Sequence, residues 1–165
     1  CVYSMKENVY YTELEFSPGQ NGNLTPFGTI EWKSVIAPKQ WTKDHDEDYD
    51  FALITLAKDI GNEVGWVGHG VDQQLQNKDL RITGYPEGKP ADTMWGSACK
   101  AYEVSGKWLS YFCETAGGMS GAGVINPTNK ETYLVVGVHA LGGSEYNSGV
   151  LITSDVYNQL QKWMK

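Results

Sequence analysis

A chain of 165 residues, 41% of them hydrophobic, can bury the core of one domain or of two small ones. The formal charge of −7 and the lack of a basic patch argue against a nucleic-acid partner, because Lys and Arg must neutralise the phosphate backbone. No run approaches the roughly 18 apolar residues of a membrane-spanning helix, so we expect no membrane partner.

Short strands separated by turns account for the first part of the chain. Residues 9–16 and 29–36 are strand-like runs, and a Ser-Pro-Gly-Gln-Asn-Gly sequence at 17–22 is a turn signal between them. A dense acidic run at 43–50 then passes directly into an apolar strand candidate at 51–56. Nothing in this part has the periodicity of a long amphipathic helix.

The alternating acids of the acidic run suggest a calcium loop. An EF-hand loop counted from Asp44 needs glycine at its sixth position and glutamate at its twelfth, but Tyr49 and Thr55 stand there. That motif fails, and we expect neither a metal nor another cofactor. Asp50 differs from the other acids because it adjoins an apolar strand, where a partly buried carboxylate needs a partner such as an imidazole N–H.

Two cysteines flank a predicted hairpin in the second half of the chain. If its turn centres on Gly106, Cys99 and Cys113 lie seven residues to either side and face each other across the strands. Directly opposed strand positions have Cβ atoms about 4.5–5.5 Å apart, so a disulfide is geometrically possible and would favour an extracellular compartment. A pair of buried free thiols is the alternative, and Cys1 is left over.

Further strand-like runs and one helix complete the pattern. The runs cover residues 80–86, 94–100, 108–113, 133–139 and 150–153. Ser154 or Asp155 can cap a helix over residues 156–165, whose apolar side chains share one face. Many short strands, abundant turns and one terminal helix favour an all-β barrel or sandwich.

A glycine-rich stretch at 114–124 displays one serine, Ser120, directly after a predicted strand. Glycine adopts backbone conformations closed to other residues, so the chain can turn sharply and point its N–H groups at one oxygen, as an oxyanion hole requires. A glycine-rich turn with an incidental serine is the alternative. A Gly-x-Ser-x-Gly nucleophile elbow is disfavoured because residue 122 is alanine and no helix pattern follows.

The Ser120 stretch is one of five short motifs that occur in a characteristic order. They are Asp-Phe-Ala-Leu-Ile at 50–54, Thr-Gly-Tyr-Pro at 83–86, Thr-Met-Trp at 93–95, Thr-Ala-Gly-Gly-Met-Ser-Gly at 115–121 and Gly-Val-His at 137–139. Together they resemble the glutamyl endopeptidase branch of the chymotrypsin-fold serine proteases, over about residues 50–165.

The resemblance implies an all-β fold, the chymotrypsin-like double β-barrel with a C-terminal helix and an active site in the cleft between the barrels. Residues 1–60 would supply only the later strands of the N-terminal barrel, which is therefore incomplete in this chain. Residues 61–165 would form the C-terminal barrel, with its helix starting at about residue 155.

The resemblance also implies catalytic roles. Ser120 would be the nucleophile, the N–H groups of Gly118 and Ser120 would form the oxyanion hole, and Asp50 would orient the catalytic histidine. The activity implied is that of a secreted, extracellular serine endopeptidase that cleaves polypeptides after Glu, or Asp, through an acyl-enzyme on Ser120.

Substrate choice would depend on a second group of residues. Thr115 and His139 would donate hydrogen bonds to the carboxylate of the substrate side chain in the S1 pocket, and Gly142 would keep the pocket wall open. A core or surface histidine satisfied by the backbone is the alternative interpretation of His139.

None of the three histidines of the chain has the sequence position expected of the catalytic histidine. His45 lies only five residues before Asp50, His69 follows it, and His139 occupies the specificity position. Because the family's histidine often stands immediately before a cysteine, we expect it just upstream of Cys1, on a segment or chain that is a partner in catalysis. The alternative is a catalytically inactive protease-fold binding module.

Overall fold

A computed structural model describes residues 2–127 and 132–165. It divides the chain into two compact units, unit 1 from Cys1 to Trp66 and unit 2 from Val67 to Lys165. Cys1 lies outside the described residues, so its lack of a partner stays a prediction. The predicted domain boundary between residues 60 and 61 also stays a prediction.

Unit 1 holds a small antiparallel sheet and a two-stranded ribbon. Its strands are β1 (Tyr3–Ser4), β2 (Val9–Tyr10), β3 (Glu15–Phe16), β4 (Ile30–Ile36) and β5 (Leu53–Leu56). Its helices are α1 (Lys39–Asp44), a 3-10 helix (Glu47–Tyr49) and α2 (Gly61–Val64). The sheet has the order β3-β4-β5, and β1 pairs with β2 by itself. Among the described residues of unit 1 the strands form no closed barrel.

Two expectations for unit 1 need correction. The run at 9–16 is not one strand, because β2 pairs with β1 whereas β3 pairs with β4, and residues 11–14 cross between the two sheets. Helices also occur before the C-terminus. The six residues of α1 include no buried side chain, so the sequence has no apolar periodicity there that would predict a helix.

Unit 2 is built around a closed barrel. Its elements are β6 (Gly68–His69), β7 (Asp79–Gly84), β8 (Trp95–Ser105), β9 (Trp108–Tyr111), β10 (Gly123–Pro127), β11 (Tyr133–Leu141), β12 (Asn147–Leu151) and α3 (Ser154–Trp163). The strand order is β10-β7-β8-β9-β12-β11, and pairing of β10 with β11 joins the two ends of the sheet. Six strands therefore form a closed barrel. The short strand β6 pairs in parallel with β11 and is not one of these six.

The barrel interior is apolar because alternate residues of each strand point inward. In β7 the pattern buries Leu80 and Ile82, both 0% exposed, and leaves the alternate residues Asp79, Arg81 and Thr83 exposed. Other fully enclosed side chains from β9, β10 and β11 are Leu109, Tyr111, Val124 and Val136. These layers form one core cluster, which gives the strands a rigid frame for the loops at their ends.

The C-terminal helix begins slightly earlier than predicted. Thr153 is its N-cap, because the Thr153 hydroxyl oxygen accepts a hydrogen bond from the Val156 N–H at 3.3 Å. The predicted caps, Ser154 and Asp155, are instead the first two residues of α3. Val156 is buried. In the described parts of the chain we find no helix with the length and apolarity needed to cross a membrane.

The hairpin of β8 and β9 does not turn about a single residue. Ser105 pairs with Trp108, so the turn consists of Gly106 and Lys107, and Gly106 has the left-handed φ of 60° that such turns favour. A regular ladder from this turn would place Cys99 opposite residue 114, which is one position away from the other cysteine.

A β-bulge corrects that register. Ala101 pairs with Tyr111 whereas Glu103 pairs with Ser110, so Tyr102 is an extra residue without an opposite partner. The shift by one position brings Cys99 opposite Cys113. The two form a disulfide with their Cα atoms 4.9 Å apart, which confirms the predicted pairing.

Removal of this disulfide should destabilise unit 2. The bond joins residues 14 apart, and closure of a loop of that size stabilises a protein by roughly 3 kcal/mol in the chain-entropy model. We expect the double variant Cys99→Ala, Cys113→Ala to lose about that much free energy of unfolding in urea titrations. Reductant should lower the free energy of unfolding of the wild type and leave that of the variant unchanged. Free, alkylatable thiols at both positions of the unreduced protein would contradict the prediction.

Candidate active site

Ser120 lies between β9 and β10 on two consecutive tight turns. The first turn covers residues 116–119 and the second covers 119–122, and each is closed by an N–H···O=C hydrogen bond between its end residues, of 3.2 and 3.0 Å. Gly118 and Gly121 occupy the third positions, with φ of 87° and 90°, as type II turns require. Ser120 is exposed at the second position of the second turn.

Neighbouring segments fix both ends of this double turn. The Glu87 N–H donates to the Gly117 carbonyl at 2.7 Å on one side. On the other side the Gly121 N–H donates to the His139 carbonyl at 2.7 Å, and the His139 N–H donates to the Ala122 carbonyl at 2.9 Å. The fold therefore brings Ser120 and His139, which are far apart in sequence, into adjacent segments.

Two backbone N–H groups of the double turn are available to a ligand. Within the described residues, the N–H groups of Gly118 and Ser120 donate no hydrogen bond. Gly118 also lies close to the segment that contains Tyr85, because a Cβ added to Gly118 would lie 2.6 Å from the Tyr85 carbonyl oxygen. No other residue type fits that position without a backbone shift.

His139 is the most enclosed of the predicted catalytic and substrate-binding residues, with 3% of its surface exposed. Its Nδ1 lies 2.8 Å from the hydroxyl of Tyr111, a buried residue of β9. Burial lowers the pKa of the His139 imidazole from its ordinary value of 6.5. A hydrogen bond between the imidazole and the Ser148 backbone raises the pKa, but by less. Burial also raises the pKa of Tyr111. The pair is therefore neutral at neutral pH.

Thr115 and Gly142 lie on the two connections next to His139. Thr115 is half-buried on the segment between the disulfide and the Ser120 turn, and Gly142 is exposed at the start of the loop 142–146. Asn147, directly after that loop, accepts a hydrogen bond from the Gly143 N–H at 3.1 Å. Its amide nitrogen donates to the Cys113 carbonyl at 2.7 Å.

Sequence reasoning did not single out Tyr111 or Asn147. Strand alternation could have placed Tyr111 inside the barrel, and a buried tyrosine hydroxyl usually has a hydrogen-bond partner. The identity of that partner depends on which strands meet, which alternation does not reveal. Asn147 resembled an ordinary polar loop residue.

Asp50 belongs to unit 1. It follows the 3-10 helix Glu47–Tyr49, and its backbone N–H donates to the Glu47 carbonyl at 3.1 Å. The side chain is half-buried, and burial raises its pKa above the ordinary value. Its carboxylate accepts no hydrogen bond from any of the residues 2–127 and 132–165. The predicted partial burial of Asp50 is therefore observed, whereas its catalytic role stays a prediction.

The two other histidines occupy structural positions. His45 is the exposed, left-handed residue that ends α1. His69 lies on β6 with its ring centroid 5.5 Å from that of Tyr157 on α3, and its Nε2 is buried without a partner among the described residues. In the same described residues we find no group of three or more His, Cys, Asp or Glu side chains placed to hold a metal ion.

Comparison with known proteins identified similar sequences among bacterial proteases, although no protein-family model matches the chain. An "Extracellular metalloprotease" of Bacillus subtilis is 32% identical over 165 residues, which is 99% of this chain and 52% of that protein. A "Glutamyl endopeptidase" of Bacillus licheniformis is 30% identical over 171 residues, 99% of this chain and 54% of that protein. The chain thus spans about half the length of these two relatives.

Shorter and purely structural likenesses agree with these matches. A "Glutamyl endopeptidase" of Staphylococcus aureus is 39% identical over 88 residues, 52% of this chain and 25% of that protein. A solved Glu endopeptidase in complex with MPD has a TM-score of 0.90 at 24% identity, over 99% of this chain and 77% of that one. Protease Anisep from Arthrobacter nicotinovorans has a TM-score of 0.76 at 20% identity, over 92% of this chain and 75% of that one. The predicted chymotrypsin-like fold is confirmed.

The close approach at Gly118 can be tested by substitution. Gly118→Ala adds both an unfavourable φ and a contact with the Tyr85 carbonyl, so we expect it to lower the free energy of unfolding by about 2 kcal/mol or more. Gly121→Ala is a matched control, since Gly121 has nearly the same φ but nothing within 4 Å of an added Cβ. Urea titrations should show the larger loss for Gly118→Ala. Equal losses would show that the Tyr85 contact has no effect.

Proposed function

Because the chain is related to the glutamyl endopeptidases of the chymotrypsin fold, we propose that it carries the nucleophile of a secreted serine endopeptidase. The observation that carries this proposal is the double turn around Ser120, which exposes a hydroxyl beside two N–H groups that no described residue engages. The relatives named glutamyl endopeptidase support the activity, and the relative named extracellular metalloprotease supports the location.

In the proposed reaction the Ser120 hydroxyl oxygen attacks the carbonyl carbon of the scissile peptide bond. A histidine outside this chain accepts the hydroxyl proton and returns it to the leaving amine, and water then hydrolyses the acyl-enzyme. The N–H groups of Gly118 and Ser120 stabilise the oxyanion of the tetrahedral intermediate. One such donor typically contributes about 10²–10³ in kcat, because it is already oriented and needs no reorganisation.

Asp50 has the environment expected of the residue that orients the histidine. Burial raises its pKa, so a hydrogen-bond donor to the carboxylate would stabilise the ionised form. An imidazole N–H is such a donor, and the resulting pair fixes the tautomer and stabilises the imidazolium that forms during catalysis. The histidine is proposed to lie on a segment or chain that precedes Cys1.

The proposed substrate is a polypeptide with Glu, or Asp, before the scissile bond. Thr115 and His139 would donate hydrogen bonds to its carboxylate, and Gly142 would leave the pocket wall open. The hydrogen bonds between the His139 backbone and the Ser120 turn support this assignment, because they keep the nucleophile and the proposed pocket on one rigid frame. A neutral imidazole has one N–H donor, for which a substrate carboxylate would compete with the Ser148 backbone.

A catalytically inactive binding module is the less favoured alternative, because the named relatives are proteases. The name of the Bacillus subtilis relative also raises a metal-dependent reaction as an outcome that the test must distinguish. These possibilities make different predictions for a probe that reacts only with an activated serine.

The full-length protein should react with a fluorophosphonate probe, and peptide mass spectrometry should locate the adduct on Ser120. An activated hydroxyl reacts because the histidine takes its proton, so Ser120→Ala should abolish both labelling and peptide hydrolysis. Failure of the active wild type to label would overturn the serine mechanism. Hydrolysis that survives Ser120→Ala but is lost on addition of a chelator would favour a metal-dependent reaction.

His139→Ala should reduce hydrolysis of Glu peptides far more than hydrolysis of matched Gln peptides. A hydrogen bond to a buried charged group is worth about 1.5–3 kcal/mol, which corresponds to a roughly ten- to hundredfold loss in kcat/KM. His69→Ala, a histidine substitution on β6 of the same unit, serves as the matched control. Equal losses on Glu and Gln peptides would show that His139 is structural and that the Glu-specific assignment is wrong.

A further inference from the structure

Asn147 connects two segments that flank the proposed acid-binding pocket. We infer that its side chain positions the loop 142–146 against the end of the strand at Cys113, and thereby sets the affinity for the acidic substrate. Asn147 is thus a positioning residue, acting through the loop and touching no reacting atom. The effect on affinity rests on the proposed function, whereas the attachment of the loop does not.

The oxygen and the nitrogen of the Asn147 side-chain amide both form hydrogen bonds. Oδ1 accepts from the Gly143 N–H at 3.1 Å, and Nδ2 donates to the Cys113 carbonyl at 2.7 Å. A carboxamide can accept from one backbone group with its oxygen and donate to another with its nitrogen. The second contact is to Cys113, so the loop is attached to a residue that the disulfide cross-links to β8.

The loop itself is tightly folded around this contact. A Cβ added to Gly143 would collide with the Tyr146 carbonyl oxygen, so the two ends of the loop are in close approach. Loop residues 142–146 are exposed, and no other side-chain hydrogen bond to them occurs among the described residues. Loss of the Asn147 contacts would therefore loosen the loop around Gly143, while the ring of Tyr146 would still pack against that of Tyr102, with the centroids 5.7 Å apart.

The position of Asn147 in the barrel links the loop to His139. Asn147 pairs with Tyr111 at the start of β12, and the Tyr111 hydroxyl contacts His139 Nδ1. The backbone of the next residue, Ser148, forms a hydrogen bond with the His139 imidazole. Movement at Asn147 would therefore reach the proposed carboxylate donor without touching Ser120.

Two substitutions and one control test this inference in the full-length protein. Asn147→Ala removes both contacts, whereas Asn147→Asp keeps an acceptor for the Gly143 N–H but cannot donate to the Cys113 carbonyl. Asn126→Ala is the matched control: Asn126 is a buried asparagine near the end of β10, and its Nδ2 donates to Asp72 Oδ2 at 2.7 Å. The readouts are KM and kcat for a Glu peptide, and amide hydrogen exchange of residues 142–146.

We expect Asn147→Ala to raise KM about tenfold with kcat within about twofold of wild type, since two hydrogen bonds hold the loop and neither enters the reaction. Asn147→Asp should raise KM as well. Exchange in residues 142–146 should accelerate in Asn147→Ala and stay at the wild-type rate in Asn126→Ala. Unchanged exchange in Asn147→Ala, or kinetic effects no larger than those of Asn126→Ala, would overturn the inference. A wild type without Glu preference would overturn the proposed function, while the exchange result would still decide whether Asn147 holds the loop.

Discussion

The antiparallel pairing of β10 with β11 is the constraint on which the candidate site depends. It joins the two ends of the sheet in unit 2 and so closes the barrel. Because β10 starts three residues after Ser120 and β11 continues through His139, closure also places the Ser120 turn beside the His139 backbone. A barrel opened at this seam would lose the geometry of the double turn together with its core.

The strand end at Cys113 is a second fixed point, and a bulge creates it. Without the extra residue Tyr102 in β8, the two cysteines would be out of register by one position. With it, the disulfide fixes the chain seven residues before Ser120, and the Asn147 side chain attaches the loop 142–146 to the same point. The Ser120 turn and the loop 142–146 are thus attached to the same strand end, the first through the chain itself and the second through the Asn147 side chain.

Electrostatics divides the proposed site residues into two kinds. Burial disfavours the charged forms of both Asp50 and His139, raising the pKa of the acid and lowering that of the imidazole. His139 resolves this by remaining neutral with Tyr111 as its partner. The Asp50 carboxylate has no hydrogen-bonded partner among the described residues. A donor from another segment would therefore stabilise its ionised form.

The sequence by itself determined the all-β class, most strand positions, the serine in its glycine-rich turn and the cysteine pair, because these depend on alternation, turn residues and short spacings. Only the tertiary structure decided the break at residues 11–14, the helix α1, the bulge at Tyr102 and the partners of His139 and Asn147. The physical reason is that each of these depends on which strand or loop lies alongside, and local preference carries no information about distant neighbours. Strand alternation can show that Tyr111 is buried, but only closure of the barrel decides that its hydroxyl meets His139.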